Sequence, residues 1–401
     1  MKKVCGVAAE YNPFHNGHRR HLAETARLLG GDCALVCVMS GNFVQRGESA
    51  VWEKHLRAEA ALRCGADLVL ELPLPWALSS AEGFAMGAVS LLHAAGVVTH
   101  MSFGSEAGAA EPLEEIAALL LCPELDGALR EELARGVSYA AARQRAAERL
   151  AGRSLEPLRR PNDLLGIEYC KALRRLGSGI RTLALPRRGA AHDAREECEG
   201  SLSASALRQR LRRGEDIAAY IPPEALRVFA REPPSDPDRL EIALLSRLRM
   251  LSPAHFAALP DAGEGLENRL WRAAGQGAGW EEILSAAATK RYPQSRLRRM
   301  LWGAALGLRR EDTAGTLPPY LRVLGANAAG RELLAEMRTR AALPVLTRPA
   351  TVRGLDAFAR RVFSLEAAAT DLWRLGCADP AQRQGDAEWR SAPVMLEAGP
   401  G

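Results

Sequence analysis

The fold is decided near the amino terminus by residues 4–18, which are VCGVAAEYNPFHNGH. The apolar run at 4–9 predicts a buried strand, and the polar segment at 11–16, which contains Pro13, predicts a loop. Apolar residues recur at helical spacing over 17–29, so a helix should follow directly. Because ligands bind at the carboxyl ends of the strands in a parallel α/β sheet, we expect a binding site in this loop.

The same alternation continues along the chain. Further strands are predicted at 33–39, 67–71, 97–103 and 181–185, and helices at 53–64, 80–94, 111–150, 163–176 and from about 205. This pattern predicts an α/β fold class with a Rossmann-like parallel sheet and right-handed crossovers.

Breaks rich in proline, the second of them at 232–237, divide the chain into two predicted domains. The α/β domain is placed at 1–232, with a helical insertion at about 111–160. Residues 238–377 have an almost entirely helical pattern and predict an all-helical second domain. Residues 378–401 are rich in proline, glycine and alanine, with little periodicity, and predict a disordered tail.

The composition of the 401 residues, 47% hydrophobic and 25% charged, is typical of a globular protein. No apolar run approaches the roughly 18 residues that span a bilayer, and the amino terminus lacks the long apolar stretch of a signal peptide. We therefore expect a cytoplasmic protein without a membrane segment. The eight cysteines are scattered without a Cys-x-x-Cys pair, so no disulfide is expected. A net charge of +5 does not by itself indicate a nucleic-acid partner.

The loop after the first predicted strand carries His15-Asn16-Gly17-His18. Two imidazoles beside a helix N-terminus form an anion site, and Gly17 allows the backbone to approach a ligand closely. The His-x-Gly-His pattern is the signature of nucleotidyltransferases and class I synthetases, whose histidines contact ATP phosphates and stabilise the developing charge. His15 and His18 are therefore the candidate catalytic residues. Two alternatives are a structural role in the loop and a zinc site with His21, whose spacing lacks the usual zinc pattern.

A second candidate segment begins at Ser203, where a serine-rich stretch leads into a predicted helix. The same superfamily commonly has a segment rich in serine and threonine that ends in arginine at this point. Hydroxyl groups and a cation there can hold phosphates, so we expect phosphate contacts from Ser203, Ser205 and Arg208. The alternative is an ordinary serine N-cap followed by a surface arginine.

Longer segments, in order along the chain, carry a more specific resemblance. They are residues 10–18, 40–48, 65–73, 103–106, 161–166, 289–292 and 320–325. These segments are similar to those of the bacterial tRNA(Met) cytidine acetate ligases, and the resemblance covers most of the chain. It implies an enzyme that makes acetyl-adenylate from ATP and acetate. That enzyme then transfers the acetyl group to N4 of the wobble cytidine in elongator tRNA(Met). We expect Mg2+ to accompany ATP, with no metal ligand from the protein.

The resemblance also implies which residues contact ATP. They are Ala8, Ala9, Glu10, Tyr11, Asn12, Pro13, Phe14, His15, Asn16, Gly17, His18, Arg19, Arg20, His21, Gly104, Asn162, Arg187 and Arg188. The segment after the arginine pair, 189–193, is one residue shorter than the family pattern. For Asn162 the alternative is a helix N-cap. The loop at 40–48 is a candidate contact for acetate or for the wobble base, which must leave its stack; the alternative is a glycine-rich connector.

A basic stretch in the second domain is the candidate tRNA contact. Its basic residues are Lys290, Arg291, Arg296, Arg298, Arg299, Arg309 and Arg310, with no acidic residue between them and with Tyr292 and Trp302 interleaved. Cations with interleaved aromatic rings suit phosphate contacts and base stacking. The alternative is a solvated basic helix face.

Two other function classes remain open from the residues alone. One is an adenylyltransferase acting on a small phosphorylated metabolite, and the basic helical domain counts against it. The other is a non-catalytic ATP-dependent RNA-binding protein, and the intact histidine pair counts against that. The residues do not predict an oligomeric state.

Overall fold

The computed structural model describes residues 3–186, 202–289 and 291–397. The strands are β1 (Lys3–Ala9), β2 (Cys33–Ser40), β3 (Phe43–Val44), β4 (Glu48–Ser49), β5 (Leu68–Leu72), β6 (His100–Ser105), β7 (Arg181–Pro186), β8 (Leu321–Ala326), β9 (Val345–Leu346) and β10 (Val394–Met395). The main sheet has the order β10-β8-β5-β2-β1-β6-β7, with β9 beside β8, while β3 and β4 form a separate antiparallel pair.

Helices flank the sheet and continue into the second half of the chain. The first nine are α1 (Asn16–Leu28), α2 (Lys54–Arg63), α3 (Leu74–Ala77), α4 (Ala81–Ala94), α5 (Glu111–Leu119), α6 (Glu124–Ala134), α7 (Tyr139–Ala151), α8 (Pro161–Arg175) and α9 (Ala204–Arg212). The others are α10 (Pro223–Phe229), α11 (Pro237–Arg249), α12 (Pro253–Ala257), α13 (Leu266–Gln276), α14 (Trp280–Ala287), α15 (Gln294–Leu306), α16 (Ala328–Arg340), α17 (Ala357–Arg374) and α18 (Ala387–Arg390). Within the described ranges, no helix combines the length and apolar character needed to cross a membrane.

The central strands are buried on both faces, which explains their continuous apolar sequences. In β2, Val36 and Val38 enter the core beneath α4 and α8. The intervening Leu35 and Cys37 enter a second core beneath α1 and α2. A sheet covered by helices on both sides requires this double burial, and the predicted α/β class is confirmed.

The order of the strands places a ligand site between β1 and β6. From β1 the chain adds β2 and then β5 on one side, and it later returns to add β6 and β7 on the other side. These strands all run parallel. Loops diverge where the strand order reverses, so a crevice forms at the carboxyl ends of β1 and β6.

In the second half of the chain, α11, α13, α14, α15 and α17 form an apolar core, to which Phe43, Leu74 and Leu78 of the first half also contribute. This second half is not entirely helical, however. Strand β8 is buried along its whole length and pairs antiparallel with β5, with Leu68 opposite Ala326. The prediction of an all-helical region at 238–377 is therefore wrong at β8 and at β9. The edge of β5 is the pairing partner of β8, and no local sequence pattern predicts a contact between residues as far apart in the chain as Leu68 and Ala326.

The carboxyl-terminal segment is ordered as far as the structure describes it, through residue 397. It contains α18, and Val394 in β10 pairs with Gly325 in β8. The prediction of a disordered tail over 378–401 is therefore wrong for 378–397. The segment lies at the edge of the sheet beside β8, and its Glu388 is buried.

A buried cluster of charges joins the sheet to the helices of the second half. Lys54 Nζ lies 2.6 Å from Glu71 Oε1, 2.8 Å from Glu388 Oε2 and 3.6 Å from Glu366 Oε2. Arg322 Nη2 on β8 lies 2.7 Å from Glu388 Oε1. Burial and the neighbouring Glu71 charge raise the pKa of Glu366 well above its ordinary value. Two buried cations, Lys54 and Arg322, thus face the carboxyl groups of Glu71, Glu366 and Glu388.

Candidate active site

The two histidines of the predicted motif cap the first helix. His15 is the N-cap of α1, and its Nδ1 accepts a hydrogen bond from the Gly17 backbone N at 3.0 Å. The backbone N of His15 donates to His18 Nδ1 at 3.3 Å. Because each Nδ1 accepts a backbone N–H, each neutral ring carries its proton on Nε2, where it can donate to an anionic ligand.

Aromatic packing fixes the orientation of these rings. The His15 and His18 rings stack with centroids 3.7 Å apart. The buried rings of Tyr11 and Phe14 lie 4.9 Å and 5.6 Å from the His18 ring. Tyr11 has a φ of +46°, a left-handed conformation that is uncommon outside glycine and is often found at functional sites. Tyr11 and Phe14, both predicted ATP contacts, thus place their side chains in the core behind the histidines.

Helix α9 lies against this loop, although it is far away in the sequence. Arg208 Nη1 donates to the carbonyl oxygen of Asn12 at 2.8 Å. The structure therefore brings the two predicted phosphate-binding segments together. Ser203 Oγ accepts from the Ala206 N at 3.2 Å and caps α9, and Ser205 is half-buried in the first turn. The N-cap interpretation of Ser203 is thus confirmed, and its phosphate contact stays a prediction.

The loop at 40–48 also adjoins the histidine loop. Glu48 Oε2 lies 2.7 Å from Arg208 Nη2, and Glu48 Oε1 lies 3.1 Å from Arg298 Nη1 on α15. The backbone N of Gln45 donates to Glu10 Oε1 at 2.7 Å. Burial raises the pKa of Glu10, and this hydrogen bond and the charge of Arg208 only partly oppose the shift. Glu48 therefore connects the candidate phosphate site to the second half of the chain, a role that the sequence pattern did not reveal.

The side chain of Asn12 hydrogen-bonds to the backbone just after the loop at 40–48 and does not face solvent. Asn12 is buried, its Oδ1 accepts from the Val51 N at 2.8 Å, and its Nδ2 donates to the Ser49 carbonyl at 3.5 Å. Ala8 and Ala9 are half-buried at the end of β1, and Pro13 is buried. Their backbone atoms, rather than polar side chains, are what they can present to a ligand.

Gly104 and Asn162 lie on the β6 side of the crevice. A Cβ added at Gly104 would meet no atom within 4 Å, so there is room for a ligand at this position. Asn162 donates from its backbone N and its Nδ2 to Glu106 Oε1, at 3.3 Å and 2.5 Å. Burial would raise the pKa of Glu106, but the hydrogen bonds from Asn162 and Asp163 outweigh it and lower that pKa. The sequence does not predict that Glu106 caps α8, because its partners lie more than fifty residues away.

Several other residues of the predicted ATP segment contact neighbouring elements. His21 Nε2 lies 2.9 Å from Ser102 Oγ on β6. Asn16 Nδ2 donates to the Ala219 carbonyl at 3.1 Å, and Arg19 Nη1 lies 3.3 Å from a carboxylate oxygen of Glu224. Arg20 is exposed on α1. In the described part of the chain, no group of three or more His, Cys, Asp or Glu residues is suited to hold a metal ion.

Arg187, Arg188, the shortened segment at 189–193 and Lys290 lie outside the described residues. The predicted phosphate role of the arginine pair therefore stays a prediction.

The basic stretch does not form one open face. Arg299 is buried and donates to the Gln45 carbonyl at 3.4 Å. Arg298 pairs with Glu48, and Arg296 donates to the Asp261 carbonyl at 2.7 Å. The helical period of α15 turns the Arg299 side chain into the protein, and its predicted tRNA contact stays a prediction. Although the stretch itself contains no acidic residue, Glu48 and Asp261 from other segments pair with its arginines.

Comparison with known proteins agrees with this geometry. The sequence model of the HIGH nucleotidyl transferase family matches residues 1–388. The tRNA(Met) cytidine acetate ligase of Acetivibrio thermocellus is 36% identical, over 98% of this chain and 100% of its own length. The corresponding protein of Syntrophomonas wolfei is also 36% identical, over 98% and 99% of the two chains. The chain belongs to the tRNA(Met) cytidine acetate ligase family. The resemblance predicted from the sequence motifs is confirmed.

Solved structures of this ligase family have the same fold over the full chain. Thermotoga maritima TmcAL bound with alpha-thio ATP superposes with a TM-score of 0.92 at 34% identity, over 99% of this chain and 100% of that chain. The apo form superposes with a TM-score of 0.94 at the same identity and coverage. One solved relative thus carries an ATP analogue on this ligase fold.

Proposed function

We propose that this protein is an ATP-dependent ligase that acetylates N4 of the wobble cytidine in elongator tRNA(Met) through an acetyl-adenylate. The observation that carries the proposal is the paired imidazoles of His15 and His18 at the N-terminus of α1, beside the crevice between β1 and β6. The names of the relatives supply the acceptor and the acetyl donor.

In the first half-reaction, a carboxylate oxygen of acetate attacks the α-phosphorus of ATP, and pyrophosphate leaves. Negative charge grows on the phosphoryl oxygens, and the Nε2–H groups of His15 and His18 donate to them. The positive end of α1 acts in the same direction. Arg208, already within reach of the histidine loop, is the proposed cation for the leaving phosphates.

Mg2+ is proposed to enter with ATP, because phosphate oxygens are ligands that this ion prefers. The nearby carboxylates already have partners: Glu10 accepts from Gln45, and Glu48 pairs with Arg208 and Arg298. This donor set fits a metal held by the nucleotide rather than by the protein. When bound, the ion neutralises charge on the leaving pyrophosphate.

In the second half-reaction, the N4 amine of cytidine attacks the acetyl carbonyl carbon, AMP leaves, and the amine loses a proton. The lone pair of N4 is delocalised into the ring, so activation of acetate supplies the driving force and placement supplies much of the rate. The base must leave the anticodon stack to reach the site. The loop at 40–48 is the proposed contact for acetate or for this base, because it contacts both Glu10 and the second half of the chain. A tRNA substrate also supports a cytoplasmic location.

Labelled acetate tests the proposal directly. The protein is incubated with ATP, Mg2+ and labelled acetate, with and without elongator tRNA(Met), and both pyrophosphate and label are followed. Label entering the tRNA is the expected result. Pyrophosphate release only with another metabolite would refute the proposal, and no turnover at all would indicate a non-catalytic binding protein.

His18→Ala tests the assigned role of the histidine pair. We expect acetyl-adenylate formation to fall by about 10²–10³-fold, as for the loss of one donor to a developing oxyanion, while tRNA binding is retained. The exposed His93 on α4 provides the matched control, His93→Ala. Near-normal turnover in His18→Ala would contradict the role.

A further inference from the structure

A cavity of about 590 Å³ opens between α13, α14 and the segment that follows α14. Its lining includes Asn268, Arg269, Arg272, Gln276, Arg291 and Tyr292. We call it the α13 pocket. Its volume is within the range of small-ligand sites, and none of its residues belongs to the candidate ATP site.

The α13 pocket is positively charged. Among the residues that the structure describes, its lining contains three arginines and one carboxylate, Glu264. That carboxylate is already engaged, since Arg291 Nη2 lies 2.9 Å from Glu264 Oε1 and the Tyr292 hydroxyl donates to Glu264 Oε2 at 2.6 Å. Two arginines are therefore left without a carboxylate partner in the lining.

These two arginines differ in a way that suits anion binding. Arg269 is held in place, because its Nε and Nη2 donate to the carbonyls of Ala286 and Ala288, both at 3.2 Å. Arg272 is exposed, and it makes no ion pair or hydrogen bond with any residue that the structure describes. Arg269 has remaining N–H donors, and Arg272 has its full set of five. A planar guanidinium matches the oxygens of a phosphate group.

Neutral polar groups lie beside these cations. Asn268 and Gln276 both line the pocket, and amide side chains both donate and accept hydrogen bonds, as the edge of a base requires. Leu266 and Ala273 supply an apolar surface. Arginine N–H donors for a phosphate, amide groups for a base and an apolar surface together match a nucleotide better than an inorganic anion.

We propose that the α13 pocket is a subsite for one nucleotide of the RNA substrate, with Arg269 and Arg272 on its phosphate and Asn268 and Gln276 on its base. The inference rests on the proposed function. It adds a proposed RNA contact on α13 to the one predicted for the basic stretch that includes α15. Arg291, the member of the predicted basic stretch that lines this pocket, connects the two surfaces.

Arg272→Ala and Arg272→Glu test the subsite. Binding of an elongator tRNA(Met) transcript is measured without ATP between 50 and 200 mM salt. A lost charge-assisted contact should weaken binding about tenfold for the alanine variant and more for the glutamate variant. The slope of log K against log salt should lose about one unit. Arg338→Glu on α16 is the matched control, since Arg338 is exposed and likewise has no partner within the described ranges.

Enzyme assays separate this inference from the proposed function. In Arg272→Glu, acetate-dependent exchange of pyrophosphate into ATP should match the wild type, while the KM for tRNA rises. Unchanged tRNA affinity in Arg272→Glu, or an equal loss in Arg338→Glu, would overturn the subsite. Absence of acetate-dependent exchange in the wild type would instead refute the proposed function. The tRNA affinities of the Arg272 variants would still test the subsite in that case.

Discussion

The buried charge cluster at Lys54 leads to a quantitative prediction about stability. Lys54 Nζ lies within 3.6 Å of carboxylate oxygens of Glu71, Glu366 and Glu388, and the Lys54 side chain has no exposed surface. Burial lowers the pKa of Lys54, but the three carboxylates outweigh it and raise that pKa, so the amine stays charged. Lys54→Met removes one of the two cations and leaves Arg322 alone to balance the buried carboxylates.

Breaking a buried ion pair by removing one partner costs about 3–5 kcal/mol. With an unfolding entropy of about 2.1 cal/mol/K per residue, a chain of 401 residues has about 0.8 kcal/mol/K. The midpoint of thermal unfolding should therefore fall by about 4–6 °C in Lys54→Met.

Circular dichroism during heating measures this shift, with Arg338→Met as the control for losing an exposed cation. Lys54→Met combined with Glu388→Gln should recover part of the loss, because both charges are then absent. A shift in Lys54→Met no larger than in Arg338→Met would refute the reasoning. A double variant that loses more free energy of unfolding than the two single variants lose together would also refute it.

Three further predictions concern the candidate site and the response to pH. Glu48→Gln removes a carboxylate that competes with phosphate for Arg208, so the Kd for ATP should fall about threefold in calorimetry, and weaker binding would contradict this. Gly104→Ala adds a methyl group where no atom lies within 4 Å, so it should raise the KM for ATP without lowering the midpoint of thermal unfolding. Burial would raise the pKa of Glu388, but Lys54 and a second cation lower it to about 2 from the ordinary 4.5. Its stabilisation is therefore present above pH 4.5 and is lost as pH falls toward 2, and a Glu388→Gln variant should lose less stability than the wild type over that interval.

Local patterns predicted the first part of the fold well. The apolar run at 4–9 became β1, the helical spacing at 17–29 became α1, and the run at 33–39 became β2, each within one residue at either end. Such patterns succeed because burial on one or both faces of an element is recorded in residues that are adjacent or a few positions apart. The capping geometry of His15 and His18 is also local, since it depends on a stretch of four residues.

Contacts between distant segments could not be predicted in this way. The return of β8 to the edge of β5, the burial of Glu388 and the pairing of Glu48 with Arg208 and Arg298 all join elements that are far apart in the sequence. A charged residue has the same local signature whether it faces solvent or a buried partner. The basic stretch at 290–310 therefore resembled one surface, although α15 directs part of it inward.

The sequence by itself determined the α/β class, the position of the histidine loop and the resemblance to one ligase family, because each of these depends on short-range periodicity or on contiguous motifs. The tertiary structure decided which arginines are exposed, how α9 reaches the histidine loop and how the carboxyl-terminal segment completes the sheet. These features depend on which surfaces meet after folding, and the free energy of such contacts comes from burial and charge pairing between segments that the chain brings together only in three dimensions.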